Sequence, residues 1–375
     1  MVRISLFSIA LLFFGAALTS CAGEKKDRAP QSGTIAAYNL KVDRSKLGKT
    51  LNLFIYPDYL DPQLVKKFEE VYGVEVVIDY YDNNEAMLAK LQAGGIGQYD
   101  VIVPTDYAVT VMRRQNLLQP LDKANIPNLK NLNPLFASLP FDPDNQYTVC
   151  YQWGTMGLGV RSDLLDPANR DLNTWKIVFD PEYSPGPFTM LDAQRETIAA
   201  ALIYLGYSVN TVDEGELQAA QELLTAQRKR VLAYTGTSTA RELLVSGDAV
   251  VIHNYNGDIL MGQSEAPAIR YLLPREGSII WTDNLAIPAG APNQYTGEVF
   301  INFLLDAENG AILSNFTHYA TPNAASLPYL DEKIRNNPDI YPPEEVIRKL
   351  QFIEDIGEKV KLYDRVWTRV KAGGN

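Results

Sequence analysis

Short apolar stretches alternate with amphipathic ones after the first fifty residues, and this alternation predicts secondary structure. The segments 51–56, 74–80 and 99–104 are apolar runs with the length of buried strands. Helical spacing of apolar residues separates them at 62–72 and 85–93. Strands and helices that alternate in this way form parallel β-α-β units, so the chain is predicted to build an open α/β sheet covered by helices.

The alternation starts again beyond residue 155, which indicates a second unit of the same kind. The predicted strands are 188–191, 249–254 and 285–288, and the predicted helices are 194–205, 216–227, 237–245, 297–305, 308–316 and long amphipathic helices from 343 to 371. No internal sequence repeat relates the two units. The minimum architecture is therefore two α/β units with long connections.

Two segments deserve inspection because open α/β sheets bind ligands beyond the carboxyl ends of their strands. The first predicted strand is followed by Tyr-Pro-Asp-Tyr at 56–59, and the third by Thr-Asp-Tyr at 105–107. Both segments combine aromatic rings with hydroxyl or carboxylate groups. The strand pattern therefore selects them as the first candidates for a binding site.

The N-terminus has the features of an export signal that ends at a lipidated cysteine. Arg3 precedes an apolar stretch at 4–18, which is shorter than the roughly 20 residues that a helix needs to cross a bilayer. The following Leu-Thr-Ser-Cys resembles a bacterial lipobox; the alternative is an ordinary cleavage site beside an incidental cysteine. We expect a signal peptide at 1–20, lipidation of Cys21, a flexible tether within 21–49, and an exported protein anchored at the bacterial cell envelope.

Composition and charge narrow the function classes. The formal net charge of −11 disfavours nucleic acid as a partner. Cys150 has no disulfide partner if Cys21 carries lipid, so we expect a buried structural residue. The two histidines, His253 and His318, lie near no other metal ligand in sequence, and the common hydrolase, metalloprotease and dinucleotide-binding motifs do not occur. The sequence thus predicts a binding protein without metal or cofactor, and not an enzyme.

Several fragments together carry a resemblance to a known family. They are 53–59 (LFIYPDY), 99–104 (YDVIVP), 140–143 (PFDP), 191–192 (LD) with Glu196, 204–208 (YLGYS), 274–277 (PREG) running through 281–283 (WTD) to 286–288 (AIP), 301–305 (INFLL) and 321–323 (TPN). Their order and spacing hold from about residue 51 to 371. The chain thereby resembles the spermidine/putrescine-binding proteins of polyamine ABC importers.

The resemblance implies a two-lobed periplasmic-binding-protein fold, in which two open α/β domains joined by a hinge close on a ligand. The implied first lobe comprises 50–153 and 282–326, and the second comprises 154–281 and 327–375. The chain would cross between them near Trp153 and near Trp281. We therefore expect a monomer that captures a polyamine and delivers it to the permease subunits of an ABC importer.

The binding site of that family is an aromatic box with carboxylates at its ends, which suits an alkyl chain that carries ammonium groups. Carried over by position, the expected ligand-binding residues are Tyr56, Asp58, Tyr59, Thr105, Tyr107, Glu196, Thr237, Tyr255, Asp258, Trp281, Asp283 and Tyr319. Tyr56 and Tyr255 stand where the family commonly has tryptophan, and Ala193 stands at a ligand-contacting aspartate. These departures leave the choice between putrescine and spermidine open.

Each candidate also has a structural alternative. Trp281 and Asp283 would serve for packing and capping, Asp258 would belong to a turn after Asn-Gly, and Glu196 would stabilise a helix N-terminus. The tyrosines would be core residues, and Asp58 would be solvated or cap a helix. Three other functions stay open: a protein of the same fold for another solute, a polyamine sensor, and a lipoprotein enzyme.

Overall fold

The structure is a computed structural model that describes residues 33–165, 171–183 and 186–373. The predicted signal peptide and Cys21 lie outside the described residues. None of the helices in the described part of the chain combines the length and the apolar character that crossing a bilayer requires.

The strands of the described residues fall into a small hairpin and one large sheet. They are β1 (Thr34–Ala37), β2 (Leu40–Asp43), β3 (Thr50–Ile55), β4 (Glu75–Tyr80), β5 (Val101–Ile102), β6 (Thr148–Arg161), β7 (Phe188–Leu191), β8 (Val231–Thr235), β9 (Val251–Tyr255), β10 (Ile269–Leu272) and β11 (Ile280–Ala286). The strand patterns at 51–56, 74–80 and 188–191 are confirmed within a residue or two. The long strand β6 was not predicted, because only an apolar stretch marks it in the sequence.

The helices of the described residues cover the sheet. They are α1 (Pro62–Tyr72), α2 (Asn84–Lys90), α3 (Asp106–Arg114), α4 (Lys176–Phe179), α5 (Gln194–Tyr204), α6 (Glu214–Arg228), α7 (Thr237–Ser246), α8 (Asn256–Glu265), α9 (Gln294–Leu304), α10 (Ala307–Thr317), α11 (Glu332–Arg335), α12 (Glu344–Ile347) and α13 (Val360–Lys371). The prediction of long helices from 343 to 371 is wrong for its first half, where only α12 and a short 3-10 turn occur.

Local signals explain where the first helix begins and ends. The Asp61 side chain accepts a hydrogen bond from the Gln63 N–H at 2.7 Å, and Pro62 occupies the first helical position. Gly73 ends the helix at a φ of 70°, a left-handed conformation that glycine adopts without steric cost. Helix α1 therefore has the bounds that its sequence predicts.

The large sheet has two halves, and each half contains neighbouring strands that run parallel. Its strand order is β4-β3-β5-β11-β6-β9-β7-β8, and β10 pairs with β6. Strand β3 runs parallel to β4 and β5 in the first half, and β7 runs parallel to β8 and β9 in the second half. The prediction of two α/β units is confirmed.

Strands β6 and β11 connect these two units. Strand β6 pairs with β11 through 148–155 and with β9 through 156–160, so it belongs to both halves of the sheet. Its first thirteen residues are buried. Trp281 lies opposite Gly154, so the two crossing segments are antiparallel neighbours. The crossing points near Trp153 and Trp281, like the lobe boundaries, stay a prediction.

The expected tether is wrong for residues 34–49. Strands β1 and β2 form an antiparallel hairpin, and Val42 is fully buried against the core of the first unit. The Tyr38 carbonyl accepts hydrogen bonds from the side-chain amides of Asn128 at 3.1 Å and Asn302 at 2.9 Å, both fully buried residues. The first unit thus extends toward the N-terminus, because these buried amides need an acceptor.

Each unit has its own aromatic core. In the first unit, Phe68 of α1 contacts the rings of Phe300 and Phe303 of α9 at 5.0 and 5.3 Å between centroids. In the second unit, Trp175 is fully buried and its indole N–H donates to the Gly277 carbonyl at 2.9 Å. The two units are nevertheless in contact, because one hydrophobic cluster contains Phe54 of the first unit together with Phe188 of the second.

Removal of the hairpin tests its contribution to stability. We expect a chain of residues 44–373 to have a free energy of unfolding about 3 kcal/mol below that of residues 33–373. The Asn302 amide loses its acceptor, the Asn128 amide loses one of its two acceptors, and Val42 leaves the core. Urea denaturation of the two chains measures the difference. Equal midpoints and slopes would show that the hairpin adds no stability.

Candidate ligand-binding site

A cavity of about 280 Å³ is lined by residues of both units. This volume is close to the lower end of the range of about 300–1,000 Å³ for small-molecule sites. All twelve candidate residues line it, and so does Ala193. The structure thus brings together residues that are up to 263 positions apart (Tyr56 to Tyr319) in the sequence. Their role in binding a ligand stays a prediction.

The strand ends of the first unit form one wall of this cavity. Strand β3 ends at Ile55, and the following loop turns at Asp58, whose φ of 55° is left-handed. Asp61 caps α1, so the alternative of Asp58 as the helix cap is wrong. Thr105 precedes α3; its N–H donates to Asn84 Oδ1 at 3.2 Å, while its buried hydroxyl has no partner among the described residues.

Five aromatic rings form a continuous chain of edge-to-face contacts through the cavity. Tyr56 contacts Tyr59 at 5.8 Å between centroids, and Tyr59 contacts Tyr319 at 5.6 Å. Tyr319 contacts Trp281 at 5.0 Å, and Trp281 contacts Tyr255 at 5.6 Å. Edge-to-face packing is a favourable arrangement of aromatic rings. The rings therefore line the cavity with apolar surface while some of their hydroxyl groups contact carboxylates.

Asp283 is the carboxylate with the least compensation in this site. It lies in β11 with only 5% of its surface exposed. Its Oδ2 accepts a hydrogen bond from the Tyr59 hydroxyl at 2.8 Å, but the buried Oδ1 has no partner among the described residues. Burial raises the pKa of Asp283 well above its usual value, and the charges of Asp106 and Glu196 raise it further. A cation that reached Oδ1 would relieve this cost.

Glu196 is a second buried carboxylate without an ion pair in the described residues. It lies in the first turn of α5, as predicted, and the Tyr255 hydroxyl approaches its Oε1 at 3.5 Å. Burial and the charge of Glu85 raise the pKa of Glu196. The charge of the neighbouring Arg195 lowers the pKa of Glu196 again, although the Arg195 guanidinium donates to the Glu354 carbonyl and forms no ion pair with Glu196.

Asp58 and Asp258 differ from these two, because both form ion pairs with Arg241. Asp258 does not belong to a turn: Asn256 and Gly257 begin helix α8, and Asp258 lies in its first turn. The Tyr319 hydroxyl donates to Asp258 Oδ2 at 2.6 Å. The cavity thus has one carboxylate pair with a protein cation and one pair without.

Sequence reasoning missed several lining residues. Asp106 is buried, and its carboxylate accepts hydrogen bonds from the N–H groups of Tyr107 at 2.7 Å and Thr282 at 3.3 Å, which ties α3 to β11. Burial raises the pKa of Asp106 to about 7. Asp82, Asn83 and Asn84 follow β4 and also line the cavity. The rule that selected the ends of the first and third strands would have selected this strand end as well.

The remaining reactive side chains lie elsewhere. His253 is fully buried in β9 and does not line the cavity, and burial lowers its pKa to about 3. Cys150 is buried in β6, where burial raises the pKa of its thiol well above the usual value. Within residues 33–165, 171–183 and 186–373, no three His, Cys, Asp or Glu side chains are grouped so that they could hold a metal ion.

An acidic cavity walled by rings from two α/β units, with strands crossing beside it, defines the class of two-lobed binding proteins. The sequence matches the family described as bacterial extracellular solute-binding protein over residues 63–342. The chain belongs to that family.

Two similar proteins within this family are polyamine-binding proteins by name. The chain is 34% identical over 324 residues to the spermidine/putrescine-binding periplasmic protein of Salmonella typhimurium, which covers 86% of this chain and 92% of the relative. It is 37% identical over 341 residues to the putrescine-binding periplasmic protein SpuD of Pseudomonas aeruginosa, which covers 87% and 92%. The resemblance drawn from the sequence fragments is confirmed.

A solved structure gives the same fold. A putative spermidine/putrescine ABC transporter from Listeria monocytogenes superimposes with a TM-score of 0.82 at 35% identity, and the match covers 86% of this chain and 99% of that one. The predicted two-lobed periplasmic-binding-protein fold is therefore confirmed.

The raised pKa of Asp283 predicts how its neutral variant changes stability with pH. The folded-state pKa lies above the unfolded value, so the carboxylate costs nothing below about pH 4 and its cost grows as the pH rises toward the folded-state pKa. We expect Asp283→Asn to stabilise the ligand-free protein by an increment that grows by up to about 1.4 kcal/mol per pH unit. Urea denaturation at pH 5, 6.5 and 8 measures this increment.

The exposed Glu345 offers a matched control, because it does not line the cavity and Glu345→Gln removes a charge without burial. We expect its effect on stability to vary little over the same pH range. An Asp283→Asn increment that is constant or shrinks as the pH rises would contradict the proposed cost of burial.

Proposed function

We propose that this protein captures a polyamine, putrescine or spermidine, in the cavity and delivers it to the permease of an ABC importer. The observation that carries the proposal is the buried, unpaired Oδ1 of Asp283 beside aromatic rings. An ammonium group would supply the missing hydrogen-bond donor and the missing positive charge. Aromatic faces would cover the methylene groups and attract the cations, with each contact contributing up to about 2 kcal/mol.

The charge of the cavity wall supports a cationic ligand. Seven carboxylates line it: Asp58, Asp82, Asp106, Asp192, Glu196, Asp258 and Asp283. No lysine, arginine or histidine is among its described lining residues. An anionic solute would meet the carboxylates that lack a protein cation, such as Asp283 and Glu196, and like charges across an interface cost several kcal/mol. The rival function with an anionic ligand is therefore disfavoured.

The chemistry of each side chain in the site determines the role that we assign to it. Asp283 and Glu196 pair with ammonium groups. The alkyl chain is enclosed by the aromatic rings, namely those of Tyr56, Tyr59, Tyr107, Tyr255, Trp281 and Tyr319. Hydroxyl groups are offered by Thr105 and Thr237. Two further carboxylates, Asp58 and Asp258, complete one end of the site. Ligand favours the closed arrangement of the lobes, because only then do groups from both lobes touch it.

Binding without turnover fits this set of residues better than catalysis. The buried His253 would not act as a base in the cavity, and Cys150 lies in the core.

The protein acts as a monomer and is held at the cell envelope by a lipid on Cys21. A sensor with the same ligand would use the same cavity, but it would signal to a partner in place of a permease.

Calorimetric titration of residues 22–375 with putrescine, spermidine and spermine tests the proposal. We expect stoichiometric binding without consumption of ligand, and a dissociation constant that rises about 10- to 100-fold for Trp281→Ala and further for Asp283→Ala, since each variant loses a contact with an ammonium group. The control Glu345→Gln should bind like the parent. If both site variants also bind like the parent, the site is misplaced; if no polyamine binds, the function is wrong.

The lipid anchor has its own test. We expect Cys21→Ser to move the protein from the membrane fraction to the soluble fraction, because the acyl chains supply the affinity for the bilayer. Cell fractionation and the intact mass of the purified protein measure this change. A parent protein whose mass matches the unmodified chain would contradict lipidation.

A further inference from the structure

Arg241 lies immediately beside the cavity, on α7, and its guanidinium bridges two carboxylates of the wall. Its Nη2 donates to Asp58 Oδ2 at 2.8 Å, and its Nη1 donates to Asp258 Oδ1 at 3.3 Å. The side chain is only 12% exposed. Arg241 itself is not a lining residue, so it acts on the cavity through the two carboxylates.

Three of the four oxygens of these two carboxylates already accept hydrogen bonds from the protein, and only Asp58 Oδ1 keeps its full capacity for a ligand. Asp258 Oδ1 accepts from Arg241, and Asp258 Oδ2 accepts from the Tyr319 hydroxyl at 2.6 Å. Asp58 Oδ2 accepts from both Arg241 and the Ser238 hydroxyl, the latter at 3.3 Å. The single positive charge of Arg241 therefore compensates one of the two negative charges at this part of the cavity.

The other buried carboxylates lack such a partner. Asp283 and Glu196 form no salt bridge among the described residues, and Asp283 Oδ1 has no hydrogen bond at all. The charge of Arg241 persists at every physiological pH, since a guanidinium does not lose its proton in proteins. Asp106 also lines the cavity without a salt bridge among the described residues, but both of its oxygens already accept backbone N–H groups. Asp283 and Glu196 are therefore the two candidate sites for a ligand cation, and Arg241 partly compensates a third position at Asp58 and Asp258.

We propose that Arg241 sets the length of the ligand: it occupies the acidic end formed by Asp58 and Asp258, so that the cavity selects a diamine over a triamine. This inference rests on the proposed function, because it assumes a polyamine in the same site. A third ammonium group at that end would have to displace the guanidinium or lie beside a like charge. Either arrangement costs free energy that a diamine with ammonium groups at Asp283 and Glu196 avoids.

Titration of the parent with putrescine and spermidine gives the first test, without any variant. We expect putrescine to bind at least about tenfold more tightly than spermidine, which corresponds to 1.4 kcal/mol. A parent that binds spermidine more tightly overturns the inference and leaves the proposed function intact. A parent that binds neither ligand refutes the proposed function itself.

Variants of Arg241 give the second test. Arg241→Gln frees the carboxylates of Asp58 and Asp258, so we expect the preference for putrescine over spermidine to fall by at least about tenfold. Arg241→Lys keeps the positive charge and should retain the parent's preference, which a purely structural role of the guanidinium would not predict. The control Arg348→Gln removes an exposed arginine that pairs with Glu344 on α12 and should leave the preference unchanged.

Two further results would overturn the inference. One is an Arg241→Gln variant that still binds putrescine and shows the parent's preference. The other is tight binding of 4-aminobutyrate by the parent that is lost in Arg241→Gln, because Arg241 would then pair with a carboxylate of the ligand. A variant that does not fold leaves the decision to the titration of the parent and of Arg241→Lys.

Discussion

The site depends on one unfavourable feature, a carboxylate buried without a counter-charge. Asp283 lies where β6 and β11 join the two units, and the register of these strands shifts between Asp283 and Asn284. Such a bulge changes the direction of a side chain relative to a regular ladder. A buried anion without a partner costs several kcal/mol in the absence of a ligand. Under the proposed function a bound cation would remove this cost, and binding would then be coupled to the strands that connect the lobes.

The aromatic rings around this carboxylate pack directly against backbone positions where a side chain larger than that of glycine would not fit. A methyl group at Gly257 would lie 2.5 Å from the ring of Tyr319, and one at Gly154 would lie 2.7 Å from the ring of Trp281. Glycine at these two positions lets the rings approach the backbone of α8 and β6. The rings in turn hold the hydroxyl groups of Tyr59 and Tyr319 against Asp283 and Asp258. The packing of the rings on these glycines therefore also positions the hydrogen bonds to the two carboxylates.

The charges are distributed unevenly over the cavity wall, and under the proposed function this asymmetry would set the orientation and the length of the ligand. Arg241 compensates the end at Asp58 and Asp258, whereas Asp283 and Glu196 remain without an ion pair in the described residues. Asp58 follows β3 in the first unit, and Arg241 belongs to α7 in the second, so the ion pair also joins the two units. If Arg241 sets the selectivity as proposed, selectivity and the contact between the two units depend on the same side chains.

The sequence by itself determined the features that local patterns carry. Helix α1 begins and ends as its capping residues predict, and the alternation of strands and helices identified both α/β units, because these signals lie within a few residues of each other. The resemblance of fragments supplied the candidates of the second unit, such as Asp258 and Trp281. Tertiary structure alone decided the folded hairpin at 34–43, the shared strand β6 and the start of α8 at Asn256. It also revealed the pairing of Arg241 with Asp58, which are 183 positions apart. No local pattern encodes a contact between residues so far apart in the chain, since it exists only when two lobes pack around a common gap.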